Sequence, residues 1–258
     1  MAGNRDATRP GSDAAELLTV IVPCLNEERL VAATVAQVLD LAPKIPVELE
    51  LILVDDGSSD GTRAVLAEIC AREPRCRMIA NPRNLGMGRS VLNAYPDVAP
   101  GSWVSVIPGD GEVDVSVLCD FLQLRERADV VLGYVQNPII RSFRRRMASW
   151  VFHAVVRMLY GFEFRYLNGP KLYRLEALAG IPVVSNGHAF NAELLAKALL
   201  RQPRLRVVQA PFVLQGRARG ASKAIQPLGI LRAIRDVVGG FRAVADYRDR
   251  MIRESQAR

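Results

Sequence analysis

Apolar and polar positions along the first half of the chain form two kinds of alternating segment. Short β-branched runs predict buried strands at residues 17–23, 47–54, 77–80, 103–107 and 128–132. Between them, apolar residues recur at helical spacing, at about residues 30–39, 60–72, 84–95 and 115–125. Because strands that alternate with helices are typical of βαβ units, we expect an α/β domain around a mostly parallel sheet.

The second half has longer helical patterns and fewer runs of strand type. Helices are predicted at residues 144–159, at 191–200 and from 225 onward, with a strand at 206–213. No Gly/Ser-rich linker divides the chain. We therefore expect a flexible lead at 1–15, one folded domain at 16–224 and a C-terminal tail of amphipathic helices at 225–258.

Acidic side chains follow three of the predicted strands at their carboxyl ends. They are Glu27 after the first strand, Asp55, Asp56 and Asp60 after the second, and Asp110 and Glu112 after the fourth. Acids that converge on one sheet edge repel one another unless a cation or a hydrogen-bonding ligand lies among them. Carboxylates favour Mg²⁺ or Mn²⁺, and ligands of open α/β sheets bind at this edge. An acidic turn is the alternative, since Asp and Gly are common turn residues.

Other features of the chain narrow the class of partner. The segment Pro23–Glu28 after the first strand contains no glycine, so neither a G-x-G-x-x-G dinucleotide loop nor a Walker A loop is present there. The net charge of +7 fits phosphate-bearing partners, including nucleotides and an anionic membrane surface. Aromatic residues are few and do not interleave with the basic runs, so we expect no nucleic-acid partner.

Two motifs at fixed spacing resemble a known family. P-C-L-N-E-E at 23–28 followed by V-D-D-G-S-S-D-G-T at 54–62 is similar to the start of family 2 inverting glycosyltransferases. The resemblance runs from about residue 18 to 223 and is strongest to dolichol-phosphate mannose synthases and other polyprenyl-phosphate sugar transferases. It implies a GT-A fold, a Rossmann-like αβα sandwich. It also implies an enzyme that transfers a sugar from GDP-mannose or a UDP-sugar.

The resemblance assigns roles to residues at the predicted sheet edge. It implies that Pro23, Glu27, Asp55 and Asp56 bind the base and ribose of the donor. The family's Asp-x-Asp-x-Gln metal motif aligns with Pro108, Asp110 and Glu112, so Asp110 and Glu112 are the expected ligands of Mg²⁺ or Mn²⁺ and act in catalysis, with Asp110 also contacting the donor. The family's R-x-x-G-x-S-K motif matches at 217–223. This match implies that Arg217, Ser222 and Lys223 bind the diphosphate, with Arg217 also catalytic.

The same resemblance proposes an acceptor site in the second half of the chain. Its expected residues are Arg144, Arg145, Arg146, Asn168 and Lys171. If the acceptor is a polyprenyl or dolichyl phosphate, its anionic oxygen needs no general base. If it is a sugar hydroxyl, a carboxylate must take the proton, with Glu193 as the first candidate and Glu112 as the second. Glu193 could instead fix a helix.

Several alternatives stay open from the sequence. The acceptor could be a soluble hydroxyl compound of natural-product or glycan assembly, and the protein could bind sugar nucleotides without activity. A nucleotidyltransferase is a further alternative, although the loop at 23–28 lacks its glycines. A cytoplasmic protein with peripheral contact at the inner face of the membrane is expected, because two helices are basic and amphipathic. A homodimer is left open.

Overall fold

The computed structural model of the protein describes residues 16–137, 143–187, 189–215 and 227–256. The side chains of residues 144, 145, 227–232 and 234 are also outside the described part. The predicted lead at 1–15 therefore lies outside it. Within the described ranges, no helix is both long and apolar enough to cross a lipid bilayer.

The first half folds as the alternation of segments predicts. Its elements are β1 (Leu17–Cys24), α1 (Val31–Leu39), β2 (Glu48–Asp55), α2 (Thr62–Arg72), β3 (Cys76–Ala80), α3 (Met87–Ala94), β4 (Trp103–Val106), α4 (Val117–Gln123) and β5 (Val130–Val135). The predicted bounds shift by up to three residues. For example, α3 begins at Met87 because Gly86 before it has a φ of 90°, outside the helical region.

The second half contains one strand and one short helix that the pattern did not predict. Its elements are α5 (Phe143–Tyr160), β6 (Lys171–Arg174), α6 (Leu175–Leu178), α7 (Phe190–Arg201), β7 (Val207–Phe212) and α8 (Pro227–Gln256). The unpredicted ones are β6 and α6. Each has only four residues, too few for a periodicity to develop.

Seven strands of the described chain form one sheet in the order β3-β2-β1-β4-β6-β5-β7. β6 is antiparallel to both of its neighbours, and the remaining pairs are parallel. The expectation of a mostly parallel central sheet is confirmed. Because β6 runs in the opposite direction, its amino end at Lys171 lies at the same edge as the carboxyl ends of β4 and β5.

Apolar side chains cover both faces of the sheet, which gives three layers. Leu18, Val20 and Val22 of β1 pack on one side with buried residues of α1, α2 and α4. Ile21, which points to the opposite face, packs with buried residues of α3 and α7. β1 is thus buried on both faces, as expected of a central strand in a parallel sheet.

The helix α8 is joined to the domain through Asp236. The Asp236 carboxylate accepts the backbone N–H groups of Asn186, Gly187 and Ala189 at 2.9, 3.1 and 3.3 Å. These residues precede α7, against which α8 packs. The described part of the predicted tail is therefore a single helix on α7, and the division of the chain at residue 225 stays a prediction.

Candidate active site

The carboxyl end of β1 is hydrogen-bonded to both acidic loops. The carbonyl oxygen of Cys24 accepts the N–H of Asp56 at 2.8 Å, and that of Pro23 accepts the N–H of Gly109 at 3.1 Å. A Cβ atom at Gly109 would lie 2.7 Å from the Cys24 sulfur, so only glycine allows this approach. The chain therefore brings the loop after β2 and the loop after β4 to opposite sides of β1.

The pKa of the Cys24 thiol reflects the negative charge of the carboxylates at this edge. Burial raises its pKa to about 12, and the carboxylates of Glu27, Asp55 and Asp110 contribute to the rise. These three acids come from the ends of three different strands. They act together on one buried sulfur, as the sequence predicted for acids that converge on a sheet edge.

Asp55 is fully buried and paired. Its carboxylate accepts the Ser58 N–H at 3.0 Å and the Arg63 Nε–H at 2.7 Å. Burial acts to raise its pKa, but the hydrogen bonds from Ser58 and Arg63 outweigh burial and the pKa is lowered. Asp55 is thus held as a carboxylate at the end of β2.

Asp56 holds the loop that leads into α3. Its carboxylate accepts the N–H groups of Leu85 and Gly86 at 2.8 and 3.0 Å and the side-chain amide of Asn81 at 3.0 Å. The Asn81 amide also bonds Ser90 of α3 at 2.9 Å. The ends of β2 and β3 and the start of α3 are joined through this one carboxylate.

The two motifs that carry the family resemblance are locked together. Asn26 adopts a left-handed φ of 56°, and its Oδ1 accepts the Ser59 N–H at 2.8 Å. The Ser58 hydroxyl accepts the Asn26 N–H at 3.0 Å, and the Thr62 hydroxyl accepts the Glu27 N–H at 2.8 Å. The loop after β1 is therefore fixed against the loop after β2, with Glu27 facing the same edge as Asp55.

Asp110 and Glu112 occupy a tight turn after β4. Gly111 between them has a φ of 66°, and the Asp110 carboxylate accepts the Glu112 N–H at 3.1 Å. Glu112 is 6% exposed, whereas Asp110 is half-buried. The Glu112 carbonyl accepts the N–H of Gln215 at 2.9 Å, so this turn is bonded to the last described residue before the gap at 216–226.

The donor set at this turn fits a divalent cation that shares its coordination with a ligand. Two carboxylates supply hard oxygen donors, and Mg²⁺ commonly takes one or two protein carboxylates together with phosphate oxygens and water. In the described part of the chain, no group of three or more His, Cys, Asp or Glu side chains forms a metal-binding arrangement. A metal held here would therefore depend on oxygens of a bound diphosphate.

Two of the predicted acceptor residues, Asn168 and Lys171, lie where β6 meets this edge. The Asn168 side chain accepts the amide N–H of Asn191 from α7 at 3.1 Å. The Lys171 ammonium donates to the Gly169 carbonyl at 2.9 Å and lines a small apolar cavity together with Asn191. Burial lowers the Lys171 pKa to about 7, so this side chain changes charge near neutral pH.

Glu193 is engaged in fixing a loop. It is fully buried, and its carboxylate accepts the N–H groups of Val184 and Ser185 at 3.0 and 2.9 Å. Lys197, one turn further along α7, donates to it at 2.6 Å and to the Pro182 carbonyl at 2.8 Å. These contacts favour the helix-fixing role of Glu193 over the role of general base.

A comparison with protein families assigns the chain. Residues 19–191 match the family described as Glycosyl transferase family 2. The match covers more than half of the sequence and includes most of β1, the acidic loops and the start of α7. The chain belongs to glycosyl transferase family 2. This membership places the chain among glycosyltransferases rather than nucleotidyltransferases.

Curated relatives within this family include two synthases of lipid-linked sugars. A dodecaprenyl-phosphate galacturonate synthase from Rhizobium johnstonii is 27% identical over 225 residues, which cover 86% of this chain. The chain spans only 64% of the length of that relative. A polyprenol monophosphomannose synthase from Mycolicibacterium smegmatis is 28% identical over 216 residues, 79% of each chain.

Solved structures confirm the predicted fold. Glucosyl-3-phosphoglycerate synthase from Mycobacterium tuberculosis, solved with Mn²⁺, UDP-glucose and phosphoglyceric acid, superposes with a TM-score of 0.65 at 17% identity. The superposition covers 91% of this family 2 chain and 86% of that one. The seven-stranded sheet with helices on both faces is the GT-A fold, as the resemblance implied.

Some predicted site residues of this family 2 chain lie outside the described residues. These are Arg217, Ser222 and Lys223, together with the side chains of Arg144 and Arg145. Arg146 is described and exposed in the first turn of α5. The roles assigned to all six stay predictions.

Three polar residues at the edge were missed by the sequence analysis. Asn26, Arg63 and Asn81 bond the loops or the acids described above. Asn81 directly follows β3, so the search for polar residues at strand ends could have found it. Arg63 lies in the first turn of α2, where a cation is not expected from the helix dipole, and only the folded contact reveals its role.

Proposed function

We propose that the protein transfers a sugar, with inversion at the anomeric carbon, from a nucleoside diphosphate sugar to a polyprenyl phosphate. The observation that carries the donor site is the hydrogen bonding of β1 to both acidic loops, which gathers Glu27, Asp55 and Asp110 at one edge. The printed names of the two curated relatives support the lipid-phosphate acceptor. GDP-mannose and UDP-sugars are the donor candidates.

In this proposal, the edge beside β1 binds the nucleoside. Glu27, Asp55 and Asp56 accept hydrogen bonds from the base and ribose, and Pro23 shapes the floor of the pocket. Asp55 and Asp56 already accept protein donors, but a carboxylate offers about four lone-pair sites, so acceptor capacity remains. Because both are fixed by the protein beforehand, little side-chain ordering is required on binding.

Asp110 and Glu112 would hold Mg²⁺ or Mn²⁺ beside the donor diphosphate. The metal would act as a Lewis acid that neutralises charge developing on the leaving nucleoside diphosphate. Mn²⁺ bound with UDP-glucose in the related solved structure supports this choice of ion. Arg217, Ser222 and Lys223 would bind the same diphosphate, with two cations and one hydroxyl suited to phosphate oxygens.

The acceptor phosphate would bind near Asn168 and Lys171, with Arg144, Arg145 and Arg146 at its approach. One of its anionic oxygens attacks the anomeric carbon, a new C–O bond forms, and the bond to the diphosphate breaks with its electron pair on the leaving oxygen. No proton has to be removed from such an acceptor. Glu193 can therefore serve the fold, which agrees with its buried contacts to Val184, Ser185 and Lys197.

A soluble acceptor is the second candidate. The related solved structure holds phosphoglyceric acid, which is a small anionic acceptor with a hydroxyl group. Such a hydroxyl requires a base, and Glu112 would then take the proton, which would leave Asp110 to hold the metal. This candidate differs from the first in its acceptor, its base and the ligands of the metal, since the nucleoside pocket is shared.

A donor-turnover assay tests the proposed site. Nucleoside diphosphate release is followed with GDP-mannose, UDP-glucose or UDP-N-acetylglucosamine, each with polyprenyl phosphate and with Mn²⁺, Mg²⁺ or a chelator. We expect Asp110→Asn to abolish metal-dependent release. Asp120→Asn, an equivalent change at an exposed position on α4, should leave it unchanged. Full activity of Asp110→Asn would contradict the metal assignment.

A further inference from the structure

One face of α5 exposes an unusual row of large apolar side chains. Its members are Phe143, Met147, Trp150, Val151 and Met158, exposed by 69, 45, 63, 47 and 77%. At about 100° per residue, they fall within an arc of roughly 100° around the helix axis. We call these five residues the α5 stripe. Contiguous exposed apolar surface of this kind marks a contact with a partner or a membrane.

Basic residues border the α5 stripe. α5 contains four arginines and no Asp or Glu. Arg146 and Arg157, both exposed, are eleven positions apart and therefore lie only about 20° apart around the axis, along one side of the stripe. A helix with an apolar face, a cationic border and a tryptophan suits the interface between lipid headgroups and acyl chains.

The charges also discriminate between possible occupants of this face. In a symmetric dimer through the α5 stripe, the same patch serves both copies, so the Arg146 and Arg157 borders would meet an equally cationic helix. An anionic bilayer supplies the opposite charge instead. We propose that the α5 stripe lies in the headgroup region of an anionic membrane, with Arg146 and Arg157 on lipid phosphates.

The buried flank of α5 that adjoins the border of Arg146 and Arg157 connects this surface to the acceptor segment. The His153 ring stacks on Tyr166 at 4.6 Å, and its Nε2 accepts the Leu167 N–H at 3.2 Å. Its Nδ1 lies 2.7 Å from the Ser149 carbonyl, so the neutral ring donates there. Asn168 follows directly. The segment with Asn168 and Lys171 therefore directly follows residues that contact α5, the helix that carries the stripe.

This arrangement would present a lipid-linked phosphate to the site without removing its chain from the bilayer. That consequence rests on the proposed function. Membrane binding itself does not, because it can be measured with neither donor nor acceptor present. Membrane binding is thus a property of the α5 surface alone, and the proposed lipid acceptor explains why the protein would need it.

The tryptophans make the test site-specific. The chain has two, and Trp103 is fully buried whereas Trp150 is 63% exposed within the stripe. The full chain is mixed with vesicles of phosphatidylcholine alone or with about 30% phosphatidylglycerol. We expect sedimentation with the anionic vesicles, together with a shift of tryptophan emission to shorter wavelength as Trp150 leaves water.

A matched pair of variants distinguishes the α5 stripe from exposed apolar residues elsewhere on the protein. Met147→Ser combined with Met158→Ser leaves Trp150 as the reporter and should weaken binding to anionic vesicles at least about tenfold. Ile252→Ser, at an exposed apolar position near the end of α8, should bind like the parent chain. Raised salt should weaken binding by the parent as well, because headgroup contacts are screened.

Three results would overturn the inference. They are unchanged Trp150 emission with anionic vesicles, equal vesicle binding by the double methionine variant, and a dimer in sedimentation that the double variant abolishes. The last would assign the stripe to a second copy.

Transfer to a short-chain, water-soluble prenyl phosphate is measured separately. Its absence in a protein that binds vesicles would contradict the proposed function and leave the membrane surface supported.

Discussion

The Arg63 guanidinium donates to the carboxylate of Asp55 at 2.7 Å, and this contact joins an exposed helix residue to a buried acid of the proposed donor site. The same guanidinium donates to the Asn81 carbonyl at 3.1 Å. Arg63 thus connects α2 to the ends of both β2 and β3. The Arg63 side chain is 51% exposed, whereas the Asp55 side chain has no exposure. Solvent therefore screens this ion pair only in part.

We expect Arg63→Met to reduce both stability and donor binding. The change leaves the buried Asp55 carboxylate with only the Ser58 donor, which should lower the free energy of unfolding by about 1–2 kcal/mol. Urea unfolding at pH 7 measures this. Arg72→Met removes an exposed pair with Glu68 on the same helix and should cost less than ~0.5 kcal/mol. Equal effects of the two changes would contradict the role of Arg63.

The Asp55 pairing also has a defined pH dependence. Burial acts to raise the Asp55 pKa, yet the Ser58 and Arg63 bonds lower it below its ordinary value of 3.8. A carboxylate with a lowered pKa in the folded state stabilises the fold above its unfolded pKa. That contribution is lost as the pH falls through the lower, folded pKa. The stability difference between the parent and Arg63→Met should therefore be present at pH 5–7 and shrink on acidification below about 4.

Gly109 should tolerate no side chain unless Cys24 is shortened. An alanine Cβ would lie 2.7 Å from the Cys24 sulfur, so Gly109→Ala should destabilise the protein by about 1–3 kcal/mol and displace the Asp110 turn. Cys24→Ala in the same chain should recover part of this loss, which a double-mutant cycle measures. Gly239→Ala in α8 meets no atom within 4 Å and should be neutral or stabilising. If the two changes in the free energy of unfolding are strictly additive, the alanine Cβ does not clash with the Cys24 sulfur, which would contradict this account.

Lys171 gives a second pH dependence in the same direction, because its lowered pKa also makes the stability of the fold rise with pH. Burial lowers its pKa from 10.5 to about 7, so charging this side chain in the folded state costs free energy. The cost is complete below pH 7 and is removed as the pH rises from 7 to about 10.5, where only the unfolded lysine binds a proton. Lys171→Met should thus stabilise the fold by on the order of 1 kcal/mol at pH 6, less at pH 9. It should also raise KM for a phosphate acceptor.

The buried pair of Glu193 and Lys197 should matter for folding more than for chemistry. Glu193→Ala leaves the Lys197 ammonium buried without its carboxylate, which should cost about 3–5 kcal/mol. Glu193→Gln keeps an oxygen for the loop N–H groups and should cost less. With a polyprenyl phosphate acceptor, we expect kcat of folded Glu193→Gln to stay within about threefold of the parent. A loss of several orders of magnitude, with the fold intact by circular dichroism, would make Glu193 the base.

The sequence predicted the sheet and its acidic edge because both depend on local patterns. Buried strands carry unbroken apolar runs, and the acids follow these runs directly, so their shared edge follows from parallel topology. Lys171–Arg174 gave no such signal. This strand has two polar ends, and its hydrogen bonds to β4 and β5 come from residues about 40 to 70 positions away. Only the assembled sheet makes it a strand.

The hydrogen bonds that hold the candidate site could not be predicted either, because they also join residues that are distant in the sequence. Asp56 was predicted to bind the nucleotide-sugar donor. Its hydrogen bonds to Leu85 and Gly86, however, join residues about 30 positions apart in the sequence. Asp236 lies within the predicted tail at 225–258, and its carboxylate accepts the backbone N–H of Asn186. Periodicity assigns a polar residue to a surface. It does not reveal which backbone N–H groups meet it there.

The product of transfer tests the central claim most directly. The protein is incubated with each donor and Mn²⁺, either with a polyprenyl phosphate or with phosphoglyceric acid and simple sugars, and products are identified by mass and anomeric configuration. We predict a sugar attached to the lipid phosphate, with the configuration inverted relative to the donor and release of one nucleoside diphosphate. Transfer to the soluble acceptors alone, or retention of the donor configuration, would contradict the account.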